Sequence, residues 1–312
     1  MGMVRLASES ECRQYEVQLP GFFRLDLTVS ALRRLPANVV DVWTAEHRYV
    51  RVFDEPDGPK IVSVEQSGAR KLRVTIEGRV GDEPRPLERV RRMLGLGCDL
   101  TAFNRAAERI RWLRHLAIRM RGVKPPRYPT LWEALVNAIA FQQVSLHAAS
   151  AIVGRMITSL QRPLCHRDVT LYAFPGIEQV LGTDEMVLRH AGLSGRKIET
   201  LRRVGEAIAS GALTESMLEE RSTSECIAFL STIKGVGPWS ATVAVLRGLG
   251  RLDLFPHNDT SVVRNLVLVA GTTHVDLPRA LAMLRPQQGM LYYHLLLARL
   301  EKRGELSTSS DG

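Results

Sequence analysis

The 312-residue chain lacks several features that define large classes of protein. Its four cysteines, Cys12, Cys98, Cys165 and Cys226, form no CxxC pair, which excludes a zinc ribbon or an iron–sulfur loop and fits reduced thiols. No apolar run reaches the ~20 residues that a membrane helix needs, and the polar first residues do not fit a secretory signal peptide. We therefore expect a protein that is neither secreted nor membrane-spanning, placed in the cytoplasm with the nucleoid or in a nucleus.

Acidic residues are also in deficit. The chain has 33 Asp and Glu against 42 Lys and Arg, which gives a formal net charge of +9 and a sequence pI near 9.8. A basic surplus of this kind favours a polyanionic partner, although charge alone is a weak indicator. With 45% hydrophobic and 24% charged residues the composition is that of an ordinary folded protein of one to three domains.

The first part of the chain shows the period-two alternation of half-buried strands. This pattern predicts four strands, at 22–29, 48–53, 60–65 and 71–77, with a short helix inside 32–40 that Pro36 interrupts. The Pro- and Gly-containing segment 81–86 ends the pattern. We predict a small antiparallel-sheet α+β domain over residues 1–86.

From Leu87 the hydrophobic period becomes helical, and we predict a mostly α-helical region over 87–306. The predicted helices are 87–95, 101–120, 131–143, 146–160, 183–191, 196–209, 223–232, 239–248, 260–270 and 290–302. Two capping boxes, Thr130–Glu133 and Ser222–Glu225, mark helix starts. The segment GVKPPRYP at 122–129 cannot be helical and is predicted to cross between two helical lobes.

The most informative motif is Gly235-Val-Gly237, between two apolar helices and followed by Pro238 at a first-turn position. Two glycines around one apolar residue permit a tight hairpin over 233–239. Its amides and those of the next helix start would point the same way, an arrangement that suits a phosphate oxygen and reads no base.

Asp259 ends the loop FPHND, directly before the helix that starts at Thr260. The ordinary use of an aspartate at this place is to cap the helix. A carboxylate close to a phosphate-binding hairpin can instead act on the bound polymer, and both interpretations remain open from the residues alone.

GVGPWSA followed by the Asp of FPHND resembles the helix–hairpin–helix DNA glycosylases, most of all their alkylpurine branch, 3-methyladenine DNA glycosylase II. Three other segments are similar to the same branch, and the resemblance covers nearly the whole chain. They are AIAFQQVS at 138–145, LSGRKI at 193–198 and RLDLTVSALRRLP in the strand-rich N-terminal region.

The resemblance implies a monofunctional enzyme that flips an alkylated purine out of duplex DNA and hydrolyses its N-glycosidic bond. Asp259 would be the catalytic carboxylate, and Trp239 stands where strand-nicking relatives carry a lysine. Aromatic side chains would line the base pocket: Trp239, Phe22, Phe141, Tyr292 and Tyr293. Trp239 and at least one tyrosine also fit ordinary core positions.

The resemblance further implies a DNA-contacting set made of Gly235, Gly237, Trp239, Ser240, Lys234, Arg196 and Lys197. Gln143 would occupy the wedge position that fills the gap left by the base, although it could equally end a helix. The basic residues also fit a solvated helix face. Backbone carbonyls of Ser231, Ile233 and Val236 could hold a monovalent cation, while no side-chain metal site and no cofactor are expected.

Damaged double-stranded DNA is thus the expected partner. We expect a monomer, with no membrane and no protein partner. Two alternatives remain: a non-catalytic hairpin module that only holds DNA, and a bifunctional glycosylase/lyase. The spacing of Asp259 argues against the first alternative and Trp239 against the second.

Overall fold

The computed structural model describes residues 11–79 and 85–307. Its strands are β1 (Glu11–Gln18), β2 (Val42–Trp43), β3 (Tyr49–Glu55), β4 (Gly58–Gly68), β5 (Lys71–Gly78), β6 (Leu164–His166) and β7 (Val169–Leu171). Its helices are α1 (Leu25–Arg33), α2 (Arg85–Met93), α3 (Thr101–Arg109), α4 (Arg114–Arg119), α5 (Leu131–Ala140), α6 (Leu146–Leu160), α7 (Ile177–Leu181), α8 (Glu185–His190), α9 (Gly195–Ala209), α10 (Glu215–Glu219), α11 (Thr223–Ser231), α12 (Pro238–Ala244), α13 (Thr260–Ala270), α14 (Leu277–Met283) and α15 (Met290–Lys302). Among these described residues no helix is long and apolar enough to cross a membrane.

The N-terminal region forms an antiparallel sheet in the order β1-β5-β4-β3-β2. The predicted strands at 48–53, 60–65 and 71–77 correspond to β3, β4 and β5, which pair in sequence order. The pattern missed β1, whose residues are mostly polar because one face of this edge strand meets solvent. An antiparallel sheet followed by a helical region confirms the predicted α+β class.

The prediction of a strand at 22–29 is wrong, because this segment begins helix α1. The alternation arises from a helix that is buried on two sides. Leu25, Val29 and Leu32, at helical spacing, pack on the sheet, while Leu27 and Ala31 pack into the core of the helical region. With no solvent-facing side, the helix loses the polar stripe that normally reveals its period. The helix predicted inside 32–40 is correspondingly the end of α1, which stops at Arg33.

The sheet is covered on both faces. Helix α2 adds Val90, Met93 and Leu94 to the core that the sheet forms with α1. The β6–β7 hairpin lies on the other face, where Leu164 and Leu171 cluster with sheet residues. This hairpin was not predicted because each strand has only three residues. Residues 80–84, which include most of the predicted boundary segment 81–86, lie outside the described residues.

The helical region surrounds one large core. Helix α5, helix α12 with the turn that follows it, and helix α15 contribute fully buried residues to this core. The predicted helix at 101–120 is two helices, α3 and α4, broken at 110–113. Helices α7, α10 and α14 were not predicted, and 122–129 is non-helical as expected. A π-helical turn, Val245–Leu249, extends α12 in place of the predicted straight helix to 248.

A buried ionic network joins the sheet to α5. The Arg51 guanidinium bonds Asp41 Oδ1 at 2.7 Å and Glu133 Oε2 at 2.5 Å, and the Tyr49 hydroxyl donates to Asp41. Thr130 accepts from the Glu133 amide, but the Glu133 carboxylate turns to Arg51 and leaves the predicted capping box half formed. The second predicted box, between Ser222 and Glu225, is complete.

Candidate active site

The hairpin connects α11 to α12 with an exposed tip. Lys234, Gly235, Gly237 and Pro238 face solvent, and only Val236, 2% exposed, turns into the core. The Val236 amide donates to Ile233 O at 2.9 Å, which closes the turn. Because Val236 anchors the loop from inside, the glycine amides on either side of it remain at the surface.

The two hairpin glycines differ in backbone conformation and in the space around them. Gly235 has φ +99°, and a Cβ at this position would lie 2.0 Å from Thr200 Oγ1. Gly237 has φ −79°, which any residue adopts, and a Cβ there would meet nothing within 4 Å. Only Gly235 is therefore required by the fold, whereas Gly237 leaves open space before the N-terminus of α12.

Gln142 ties the end of α5 to the hairpin. Its Nε2 donates to Gly235 O at 3.0 Å and to Ser240 Oγ at 2.8 Å. Ser240 itself is 1% exposed, so its side chain faces the protein interior. The contact fixes the loop after α5 against the hairpin.

Asp259 caps α13 and also bonds Trp239. Its Oδ1 accepts from the amides of Ser261 at 2.7 Å and Val262 at 3.3 Å, and its Oδ2 accepts from Trp239 Nε1 at 3.0 Å. The residue is 9% exposed. The capping interpretation is therefore correct, and the same carboxylate is also oriented by the half-buried Trp239 ring.

Phe141 and Tyr292, two of the expected pocket residues, meet around Arg34. The Arg34 guanidinium lies 4.3 Å from the centre of the Phe141 ring, and its Nη2 donates to the Tyr292 hydroxyl at 3.3 Å. Tyr293 is fully buried and donates to Pro126 O at 2.9 Å. Burial raises the pKa of the Tyr293 hydroxyl well above its ordinary value.

Phe22 lies elsewhere, in the segment just before α1. It is 49% exposed, and its ring lies within 3 Å of where a Cβ on Gly122 would stand. None of its described contacts reaches Asp259, Trp239 or Phe141.

Of the expected DNA-contacting cations, Arg196 and Lys234 are exposed and have no ion pair in residues 11–79 and 85–307. Lys197 donates instead to Ala140 O at 2.8 Å, so it caps the end of α5, and burial lowers its pKa. Gln143 is exposed in the loop after α5 with φ +56°, a conformation that turns the chain toward Ser145, the N-cap of α6.

The residues expected to hold a cation through carbonyls flank the hairpin turn. The Ile233 carbonyl accepts the Val236 amide, whereas in the described part of the chain no backbone hydrogen bond outside the helices reaches the carbonyl of Ser231 or Val236. Within the described part of the chain no three His, Cys, Asp or Glu side chains are grouped to hold a metal.

Gln142, Thr200 and Arg34 were not assigned to the site from sequence. Their contacts join segments far apart in the chain, 93 residues for Gln142 with Gly235 and 258 for Arg34 with Tyr292. The second glutamine of the QQVS segment was noticed, but nothing local distinguishes Arg34 from the chain's other arginines.

Comparison with known proteins finds a family model that matches the part of the chain holding this arrangement. Residues 136–281 match the profile described as HhH-GPD superfamily base excision DNA repair protein. This matched stretch includes the hairpin, Gln142, Trp239 and Asp259. The curated relatives support its 3-methyladenine glycosylase branch.

Two curated relatives illustrate the similarity. DNA-3-methyladenine glycosylase 1 of Schizosaccharomyces pombe is 33% identical over 132 residues, which are 42% of this chain and 54% of the relative. The probable bifunctional transcriptional activator/DNA repair enzyme AlkA of Mycobacterium tuberculosis is 32% identical over 174 residues, 55% of this chain and 34% of the relative. The chain thus spans about half of the first relative's length and a third of the second's.

Solved structures share the fold over almost the entire chain. The 3-methyladenine DNA-glycosylase from Archaeoglobus fulgidus has a TM-score of 0.74 at 21% identity, covering 92% of this chain and 99% of its own. The apo-form of the Clostridium acetobutylicum 8-oxoguanine glycosylase/lyase has a TM-score of 0.69 at 17% identity, covering 93% and 98%. At these identities the likeness concerns the fold alone, and it includes the N-terminal sheet.

Proposed function

We propose that the protein is a monofunctional DNA glycosylase that removes alkylated purines from duplex DNA by hydrolysis and leaves an abasic site. The observation that carries this proposal is the bond between Trp239 Nε1 and Asp259 Oδ2, next to a glycine hairpin with exposed amides. The relatives named DNA-3-methyladenine glycosylase support the substrate class.

The proposed chemistry follows from the position of Asp259. Breaking the C1′–N bond gives the deoxyribose oxocarbenium character, which a nearby carboxylate stabilises. Three N–H donors fix the orientation of the Asp259 carboxylate, so little reorganisation is needed as charge develops. The same carboxylate can accept a proton from the water that attacks C1′.

The proposed role of the hairpin is to hold the backbone of the DNA. The open space at Gly237 and the first-turn amides of α12 suit a phosphate oxygen, and exposed Lys234 and Arg196 add positive charge. These contacts carry no sequence information, as a protein that searches for damaged bases requires. A base flipped out at this place would enter beside Trp239, and Gln143 at the exposed tip of its loop would occupy the gap in the stack.

A lyase step is not part of the proposal. A strand-nicking enzyme needs a lysine amine that attacks C1′, and this chain has Trp239 at the position that the resemblance assigns to it. Lys197, on the nearby α9, is engaged by the Ala140 carbonyl.

The test is base release from methylated duplex DNA by wild type and Asp259→Asn, with strand breaks scored before and after alkali. Asparagine is a good N-cap, so the variant keeps α13 while it loses the negative charge. We expect release by wild type alone, with breaks that require alkali. Alkali-independent breaks would identify a lyase, and salt-sensitive DNA binding without release of any methylated base would favour a hairpin that only holds DNA.

A further inference from the structure

Arg34 is a buried cation without an acidic partner. It is 6% exposed, and among the described residues no Asp or Glu forms an ion pair with it. Its Nη2 reaches only the Tyr292 hydroxyl, and its Nε is buried without any acceptor. Burying a guanidinium whose described partners are one aromatic ring and one hydroxyl is costly for folding.

The backbone at Arg34 is also unusual. Its φ of +64° lies in the left-handed region, which non-glycine residues rarely adopt, immediately after the last residue of α1. The turn directs the chain out of the helix and leaves the guanidinium on Phe141. Strained residues that carry unpaired polar groups are concentrated at functional sites.

The surroundings of Arg34 connect it to the proposed site. Phe141, beneath its guanidinium, directly precedes Gln142, which bonds the hairpin. Tyr292 lies on α15, which packs along α13, the helix capped by Asp259. Arg34 therefore belongs to a wall built from the end of α1, the end of α5 and the start of α15.

This wall is electropositive. Arg247, which is fully buried, donates to Ala31 O and Leu32 O at the end of α1 and stacks on Tyr128 and Tyr293. The acid whose charge reaches Arg247 is Glu133, and Glu133 is bound by Arg51. Arg34 and Arg247 thus both lie beside Tyr292 and Tyr293, and among the described residues neither guanidinium forms an ion pair with a carboxylate.

The charge of a flipped base decides how it interacts with such a wall. A base methylated at N7 or N3 is cationic, so a nearby guanidinium repels it, and one aromatic face of Phe141 is already covered. A neutral purine such as hypoxanthine or 1,N6-ethenoadenine is not repelled.

When the C1′–N bond of a neutral purine nucleotide breaks, the electron pair stays on the purine, which becomes anionic until it is protonated. Water supplies the oxygen for C1′ and the proton that finally neutralises the purine, and a guanidinium stabilises the intervening negative charge.

We propose that Arg34 is a specificity-determining residue that shifts the lesion range from cationic alkylpurines toward neutral modified purines. This inference rests on the proposed glycosylase function. The inference concerns the ratio between the release of neutral lesions and the release of cationic lesions. It is therefore compatible with measurable release of 7-methylguanine.

The experiment measures kcat/KM on duplexes that contain hypoxanthine, 1,N6-ethenoadenine or 7-methylguanine, for wild type, Arg34→Met and Arg34→Gln. We expect both neutral variants to lower the ratio of neutral to cationic lesion activity at least tenfold. Arg34→Lys, which keeps the charge, should restore most of the ratio. A merely structural role would lower all three activities by the same factor.

Arg33→Met is the matched control, because Arg33 is similarly buried at 8% exposure and has no described contact with Phe141. It should leave the ratio unchanged, and thermal melts identify any variant that fails to fold. A ratio unchanged within twofold in both neutral variants would overturn the inference while the glycosylase function stands. No release of any lesion by wild type would instead refute the proposed function.

Discussion

Asp259 shows how one side chain can serve the fold and the proposed chemistry together. Its Oδ1 satisfies two amides at the start of α13, and its Oδ2 holds the Trp239 indole. The capping bonds fix the backbone that carries the carboxylate, and the indole fixes its rotation. These two sets of contacts hold the Asp259 carboxylate in one position and also stabilise the start of α13.

Trp239→Phe separates the aromatic packing of the indole from its hydrogen bond to Asp259. Phenylalanine retains an aromatic ring but cannot donate to Asp259 Oδ2, so the carboxylate keeps its cap and loses its orientation. We expect kcat for base release to fall roughly 10- to 100-fold, the scale of a lost positioning hydrogen bond, with α13 intact. Single-turnover release and a melting curve measure the two effects, and an unchanged rate would mean that the indole orients nothing.

Trp239→Lys tests the absence of a lyase step. The substitution places an amine at the position that the resemblance assigns to strand-nicking enzymes, but the new ammonium would lie beside the Asp259 carboxylate, which keeps it charged and therefore a poor nucleophile. We expect little covalent trapping with borohydride on lesion-containing DNA. Efficient trapping would show that the position alone is sufficient for the chemistry.

At the scale of elements, the hairpin makes a prediction from its two glycines. Gly235→Ala forces a Cβ into Thr200 at φ +99°, whereas Gly237→Ala adds a methyl group to open space. We expect Gly235→Ala to destabilise the fold by about 1–3 kcal/mol and weaken DNA binding, and Gly237→Ala to leave stability nearly unchanged.

The second variant is the decisive one, because its methyl group stands where a phosphate would approach. Gly237→Ala should weaken DNA affinity in a fluorescence titration although its melting temperature matches wild type. Wild-type DNA affinity in that variant would mean that no phosphate binds in the space beside Gly237. Adding Thr200→Ala to Gly235→Ala should recover only part of the lost stability, because the left-handed backbone remains.

The elements also show what local sequence predicts and what it does not. β5 and α13 were predictable because each has a buried side and a more exposed side, so period and environment agree. β3 and β4 were predictable from the apolar and polar alternation of their sequences, although most residues on both of their faces are buried. α1 was mistaken for a strand because both of its sides are buried. In the candidate site, the hairpin and Asp259 follow from short-range spacing. The contacts of Gln142 and Arg34 are created by tertiary packing, and no local pattern contains them.

At the scale of the whole molecule, the Arg51 network makes stability depend on pH. One guanidinium faces two carboxylates, and burial raises the pKa of Glu133 to about 7, with Asp41 adding to the rise and Arg51 opposing it. Between pH 4.5 and about 7 the folded state therefore binds more protons at Glu133 than the unfolded chain does. Stability from this group is fully present at pH below about 4.5 and is lost as pH rises toward 7.

Wild type and Glu133→Gln should accordingly differ in the slope of stability against pH. Relative to the variant, wild type should lose on the order of 1–3 kcal/mol between mildly acidic and neutral pH in denaturant unfolding. Burial lowers the pKa of His294 to about 4, which gives an opposite trend, but that contribution is common to both proteins and cancels. Parallel curves would show that Glu133 does not titrate in this range.

Helix α1 has a wider consequence, because it supplies apolar residues to two cores at once and ends at Arg34. Neither the sheet nor the helical bundle has a complete interior without it, so heat should melt both regions in a single calorimetric transition. A fragment that begins after residue 86 would expose an apolar groove along α15. It would also lack the α1 side of the proposed base pocket. The sheet, far from the hairpin in sequence, thus supports Arg34, the residue proposed to set lesion preference. Damage to the packing of the sheet should be detectable as altered lesion preference before the protein unfolds.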